Sequence, residues 1–247
     1  MDNKELFSRK SDDYALYRPS YPEEAVQFLR SECSGSHVVD IGAGTGIFTK
    51  VLLKYFDSVA AVEPNGDMRE KFEAFLPDIP CLAGSGEETT LPDASVDLIT
   101  VAQAFHWLDE EKFKQEAIRI LRPGGKVAIV WNTTLKNDFT VERDNICKKY
   151  CPRFRSGHAG KRTPAEGDAF LRFSYFKHVK IVCFSNPFVM DRIIFEGNMR
   201  SRSYIPSPGE VFYGTLMEEL RALFEKYAVK EKVTEEISTQ IYLGSFE

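Results

Sequence analysis

Val38-Val39-Asp40-Ile41-Gly42-Ala43-Gly44-Thr45-Gly46 is the stretch that decides how this chain is read. β-branched residues, an acid and an isoleucine form a short apolar run, and glycines at every second position then let backbone approach a ligand with no Cβ in the way. Ile47, Val51, Leu52 and Tyr55 follow at helical spacing. The stretch therefore predicts a buried strand, a ligand-holding turn and the start of a helix.

Glycine-rich turns after a first strand serve dinucleotides, phosphates and adenosyl compounds, and spacing separates them. A G-x-G-x-x-G fingerprint counted from Gly42 needs glycine at Ile47, and counted from Gly44 it needs one at Thr49. A phosphate loop needs Gly-Lys-Ser or Gly-Lys-Thr, and Lys50 comes too late. Ser58-Val59-Ala60-Ala61-Val62 reads as a second strand that ends in Glu63. A carboxylate closing the second strand of a parallel sheet can accept hydrogen bonds from both hydroxyls of a ribose; its other reading is a solvated turn residue before Pro64.

With 247 residues, 43% of them hydrophobic, the chain can bury the core of one large domain or of a domain with an inserted lid. A formal charge of -5 gives no global attraction to nucleic acid. No apolar stretch is long enough to span a bilayer, and Met1–Glu5 lacks the apolar core of a signal peptide, so a cytoplasmic protein without membrane or nucleic-acid partners is expected. Oligomeric state, monomer or dimer, is left open. The odd, scattered cysteines Cys33, Cys81, Cys147, Cys151 and Cys183 argue for reduced thiols. Cys147, Cys151 and His158 are the one conceivable metal cluster, but the spacing matches no zinc pattern and a fourth ligand is missing, so no metal is expected.

Strand and helix alternate through the first half. Ser20-Tyr21-Pro22-Glu23 reads as a capping box with proline at the first helical position, opening a helix through Leu29. After the second strand come a helix near 68–75, a short strand around 80–83 and a strand at 96–101. Asp109 caps a helix with Phe113, Ala117, Ile120 and Leu121 on one face, and Arg122-Pro123-Gly124-Gly125 stops it before a strand at 126–131. Such βα units in series imply a parallel, doubly wound sheet with right-handed crossovers.

After Asn132 the alternation weakens, and the intervening stretch reads as a lid. Residues 143–180 hold ten Lys or Arg against three Asp or Glu: a solvated face, or, overhanging a pocket, a preference for an anionic substrate. A late strand at 178–184, a helix at 211–227 and a closing strand at 233–243 complete the pattern, with the last strands suited to an antiparallel hairpin at the sheet edge.

Val39–Gly46, Val62-Glu63-Pro64 and Leu121-Arg122-Pro123-Gly124-Gly125 together resemble, in order, the motifs of class I S-adenosylmethionine-dependent methyltransferases. Tyr14–Pro22 and Ala102–Asp109 are similar to the small-molecule branch that includes the trans-aconitate methyltransferases. The resemblance covers nearly the whole chain. It implies one Rossmann-like α/β domain over 1–247, with a mostly parallel seven-stranded sheet, an antiparallel C-terminal hairpin and an α-helical lid. The core would be 31–135, 175–190 and 208–247, the N-terminal cap 1–30, and the lid insertions about 136–174 and 191–207.

It also implies roles. Gly42, Ala43, Gly44 and Gly46 would approach the methionine part of S-adenosylmethionine, with Asp40 near its amino group. Glu63 would hold the ribose, while Pro64 and Met68 would pack on adenine. Ser85, Gly86 and Glu87 stand where relatives meet the adenine amine, although Gly86-Glu87 replaces the common Ala-Glu. Gln103 and Ala104 would lie beside the sulfonium, and Phe105 or Trp107 would offer it an aromatic face. Tyr14, Tyr17 and Arg18 look like a cap over the cofactor. Trp107, Trp131, Arg200 and Tyr204 are the substrate candidates, an arginine being able to grip a carboxylate bidentately.

Displacement at a sulfonium methyl depends on positioning and exclusion of water. A carboxylate nucleophile needs no base, whereas a hydroxyl, amine or carbon nucleophile does, and His106 is the histidine placed to serve. Its other reading is a helix-entry residue satisfied by backbone. The expected activity is methyl transfer to a small, anionic organic acceptor. The alternatives are a non-catalytic S-adenosylmethionine-binding protein and an NAD-dependent oxidoreductase, which the missing third glycine and the lack of a Tyr-x-x-x-Lys set count against.

Overall fold

The computed structural model describes residues 17–152, 154 and 164–246. The chain divides into two compact units, each gathered from separated stretches. Among the described residues, 20–133, 164–185 and 239–246 form a sheet unit, and 17–19, 134–152 with 154, and 186–238 form a helical unit. Of the expected core segment 208–247, residues 208–238 thus belong to the helical unit.

The sheet unit opens with α1 (Glu23–Glu32), β1 (His37–Ile41), α2 (Ile47–Leu52), β2 (Ser58–Val62), α3 (Gly66–Phe75), β3 (Cys81–Leu82) and β4 (Val96–Ala102). A 3-10 turn at Phe105–Trp107, α4 (Glu110–Ile120) and β5 (Leu121–Thr134) follow. The chain enters the helical unit for α5 (Asp138–Tyr150), returns for α6 (Pro164–Phe170), a π turn (Leu171–Tyr175) and β6 (Lys180–Ser185), and leaves again for β7 (Phe188–Met190), α7 (Arg192–Arg200), α8 (Tyr213–Tyr227) and β8 (Val233–Glu235). β9 (Ile237–Gly244) brings it back.

Seven strands run in the order β3-β2-β1-β4-β5-β9-β6. β1 pairs in parallel with β2 and β4, β2 with β3, and β4 with β5. The hydrogen bonds from Asn186 N–H to Ile237 O (2.8 Å) and from Lys177 N–H to Ser245 O (3.0 Å) run in opposite chain directions, so β6 and β9 are the antiparallel pair at the far edge. Alternation along the strands divides the apolar side chains between two faces. Val39, Ile41, Ile99, Val101, Val127 and Ile129 pack with Phe113, Ala117 and Ile120 of α4. Val38, Leu98, Ala128, Val130 and Ile241 pack with Ala25, Val26 and Leu29 of α1 and with Phe48 and Leu52 of α2. Burial on both faces is what a doubly wound parallel sheet requires.

Three local expectations need correction. The first helix starts at Glu23, and its N-cap is the extended Pro22, not Ser20. Proline has no N–H to satisfy and fits the position. The Arg122–Gly125 segment does not lie before the fifth strand but bulges within it: Val96 pairs with Leu121 and Leu98 next pairs with Lys126. The closing strand is two strands. β8 pairs antiparallel with β7 in a separate sheet, while β9 joins the large one, and the change of partner falls at Glu236, whose carbonyl accepts Leu135 N–H at 2.7 Å.

In the helical unit, Phe139, Cys147, Phe195, Met199, Leu216, Leu220, Phe224 and Val233 make the core. Arg143 and Glu235 form a buried ion pair there, with Arg202 3.7 Å from the same carboxylate. Among the described residues of the basic stretch, Arg143 also pairs with Asp144, Lys149 with Glu219, Arg172 with Asp168 and Lys180 with Glu32. Much of that positive charge is therefore locally neutralised. Arg153, Arg155, His158, Lys161 and Arg162, like Tyr14 of the expected cap, lie outside the described residues.

Candidate functional site

The carboxyl ends of β1, β2, β4 and β5 converge at the point where the strand order reverses between β1 and β4, the crevice in which open α/β sheets hold ligands. The glycine turn leaves β1 there. Gly42 N–H donates to Val62 O at 2.8 Å, and Ala43 N–H to the same carbonyl at 3.2 Å. Gly42 has φ +68°, and a Cβ on it would lie 2.5 Å from Ala104 Cβ, so the turn presses directly on the end of β4. Gly44, at φ +58°, has nothing within 4 Å of where a Cβ would stand; the backbone there faces open space. Gly46 is buried against Phe72 of α3.

Glu63 stands beside that open face. Its Oε2 accepts Gly44 N–H at 2.9 Å, its Oε1 accepts Asn65 N–H at 2.9 Å, and its own carbonyl accepts Arg69 Nη1 at 2.8 Å. Only 7% of the residue is exposed, and burial raises the carboxyl pKa against the opposing pull of the two backbone donors and Arg69. Each carboxylate oxygen keeps a further lone pair. Pro64 is exposed, whereas Met68 is buried at the start of α3, its N–H accepted by Asn65 Oδ1 at 3.1 Å.

Asp40 lies deeper. Its Oδ2 accepts Thr49 Oγ1 at 2.7 Å from α2 and its Oδ1 accepts Thr100 Oγ1 at 2.8 Å from β4. Burial pushes its pKa up to about 6, with the two hydroxyls working in the other direction and Glu63 adding to the rise. Asp40 is thus a strut that ties helix, turn and neighbouring strand together beneath the glycines. Thr49, Thr100 and Asn65 were not singled out from sequence. A hydroxyl inside an apolar run is the signal that marks the two threonines.

Past β3, Ser85 Oγ accepts Glu87 N–H at 3.2 Å, and Glu87 Oε1 accepts Asp109 N–H at 2.7 Å, immediately before α4. Gly86 packs where a Cβ would lie 2.9 Å from Leu108. Between the ends of β4 and α4, Phe105 is buried against Phe113 and Tyr175, and this anchor holds the 3-10 turn that carries His106 and Trp107. The His106 ring centroid is 4.5 Å from that of Trp107 and 5.5 Å from that of Trp131 at the end of β5, making an aromatic group with Trp107 44% exposed.

The remaining expected residues belong to the helical unit. Arg200 places its guanidinium 6.0 Å from the Tyr17 ring centre, Tyr17 O accepts Asn198 Nδ2 at 3.0 Å, and Arg18 Nη2 donates to Ser201 O at 3.3 Å. Tyr204 accepts Arg202 Nη1 at 3.2 Å and meets Phe154 edge-on, with ring centroids 4.9 Å apart. Among the described residues, no group of three or more His, Cys, Asp or Glu is placed to hold a metal ion, no disulfide joins the cysteines, and no helix is long and apolar enough to cross a membrane.

A protein-family profile described as "Methyltransferase domain" matches residues 39–129, the span from β1 into β5. An uncharacterized methyltransferase of Schizosaccharomyces pombe is 30% identical over 178 residues, covering 68% of this chain and 70% of that protein. An uncharacterized methyltransferase of Mycobacterium tuberculosis is 44% identical over 120 residues, 49% of each chain, so the match spans about half the length of that relative. A solved structure from Anaeromyxobacter dehalogenans, provisionally assigned as a type II methyltransferase, shares the fold with TM-score 0.71 and 23% identity over 93% of this chain and 98% of the other. The chain belongs to the class I S-adenosylmethionine-dependent methyltransferase family.

Proposed function

We propose that this protein transfers a methyl group from S-adenosylmethionine to a small, anionic organic acceptor in the cytoplasm. The observation that carries the cofactor assignment is the pairing of a buried, backbone-held carboxylate, Glu63, with the open face of Gly44 at the reversal point of the sheet. The residues fit the group: Glu63 keeps lone pairs for ribose hydroxyls, and the glycine turn admits close backbone approach.

When bound, the cofactor supplies a methyl group on a positively charged sulfur. The chain's own contribution is to orient and exclude water. Trp107 and Trp131 offer π faces, on either side of His106, that favour positive charge. His106, between them, is the side chain to accept a proton from an acceptor hydroxyl, amine or carbon acid at a ring nitrogen. The anionic character of the acceptor is supported by the sequence's excess of Lys and Arg over 143–180, reduced by the ion pairs of Arg143, Lys149, Arg172 and Lys180.

Calorimetric titration with S-adenosylmethionine, S-adenosylhomocysteine and NAD tests the cofactor. Binding of the adenosyl compounds alone is expected, and binding of NAD alone would sink the assignment. Labelled-methyl transfer over a panel of carboxylic acids, neutral alcohols, amines, a peptide digest and RNA tests the acceptor, with label expected in the acids.

A further inference from the structure

Gln103, immediately after β4, takes a backbone conformation that its residue type seldom adopts, with φ +58°. Two hydrogen bonds hold it there: its N–H donates to Val130 O at 2.9 Å, and its side-chain Nε2 donates to Asn132 O at 3.0 Å. Asn132 is fixed in turn, since its Oδ1 accepts Thr239 Oγ1 at 2.5 Å and its Nδ2 donates to Ser20 O at 3.2 Å. β4, β5, β9 and the segment before α1 are thereby tied at one point.

The residue that follows is Ala104, the one against which Gly42 presses, and Ala104 O accepts Trp107 N–H at 3.0 Å to close the turn bearing His106. The direction of the chain at Gln103 therefore sets both where β4 meets the glycine turn and where the two rings stand. One of the two N–H donors of its side-chain amide is thereby committed to Asn132 within the protein. We propose that Gln103 is a positioning residue, whose left-handed turn, latched on the Asn132 carbonyl, aims Ala104 and the His106–Trp107 turn. This rests on the methyl-transfer reading of the site.

Trp107 and Trp131 are the two tryptophans of the chain, and both flank His106. Intrinsic fluorescence therefore reads the turn directly, without an acceptor. Gln103→Ala removes the latch and leaves a Cβ that disfavours positive φ; Gln103→Gly removes the latch but adopts that φ freely. Acrylamide quenching of tryptophan is expected to rise about threefold in the alanine variant, and the S-adenosylhomocysteine Kd to weaken about fivefold, with glycine recovering most of both. Equal loss of affinity in both variants with unchanged quenching would show a ligand contact and overturn the proposal, as would unchanged quenching in the alanine variant. If the unmodified protein does not bind S-adenosylhomocysteine, the methyl-transfer reading fails, and quenching with its rescue by glycine still decides the role of Gln103.

Discussion

Glu63 Oε2 accepts the N–H of Gly44 at 2.9 Å, so the acid that ends the second strand directly braces the turn that leaves the first. The two residues are nineteen apart in sequence, and parallel pairing of Ile41 with Val62 brings them together. One side chain thus shapes the turn.

Glu63→Ala is expected to weaken S-adenosylhomocysteine binding by about 1–3 kcal/mol, because both the brace and a charged acceptor for ribose are lost. Isothermal titration checks it. Unchanged affinity would remove Glu63 from the cofactor site.

Gly42→Ala puts a methyl group 2.5 Å from Ala104 Cβ at φ +68°. A loss of about 1–3 kcal/mol in urea unfolding is expected from the clash and the left-handed backbone together. Adding Ala104→Gly should relieve the clash and leave the backbone part. A double variant no more stable than the single one would refute the contact.

Asp40 has a folded pKa of about 6 against 3.8 for an unperturbed aspartate. The folded state therefore binds a proton more tightly than the unfolded chain, and this group's effect lowers stability as pH rises from about 4 to about 6. Asp40→Asn should remove up to about 3 kcal/mol of that pH dependence. Chemical denaturation at pH 4, 5, 6 and 7 for both proteins measures it, and parallel curves would contradict the assignment.

His106→Ala is expected to slow methylation of a hydroxyl, amine or carbon acid by about 10²–10⁴-fold while leaving carboxylate methylation within about threefold. Rates on one acceptor of each kind decide between a proton-accepting and a purely packing role. Equal effects on both acceptors would favour packing.

Glu235 is buried between Arg143 and Arg202; burial alone would raise its pKa, but the two guanidinium groups overcome this and hold it low. Its stabilising contribution is present above the ordinary carboxylate range and lost as pH falls through the depressed value. Glu235→Ala, which strands both arginines, should cost about 3–5 kcal/mol at pH 7. A change below about 1 kcal/mol in the denaturation midpoint analysis would show the pair to be solvated.

β2 was legible to the residue and β1, which starts at His37, to within one residue, because buried parallel strands are short β-branched runs bounded by turn residues. Glu63 and the glycines were legible because their chemistry depends on spacing along the chain. Gln103 was legible as a position but not as a left-handed turn, since nothing local in Ala102-Gln103-Ala104 favours positive φ and the latch comes from Asn132 on the next strand. The strut role of Asp40 was hidden for the same reason: Thr100 is sixty residues away. The break at Glu236 escaped because the alternation of buried and exposed residues runs straight through it. Periodicity reports which face is buried, not which partner covers it.

The sequence by itself determined the doubly wound sheet, the place of the ligand turn and the family, because these depend on local hydrophobic pattern and on motifs in order. Only the tertiary structure decided what the polar groups do. It made Asp40 an internal strut, joined Glu63 to Gly44, gave an N–H of the Gln103 amide to Asn132, and paired Arg143, Lys149 and Lys180 of the basic stretch with carboxylates distant in sequence. Hydrogen bonds and ion pairs act over a few ångströms in space, and folding alone chooses which residues come that close.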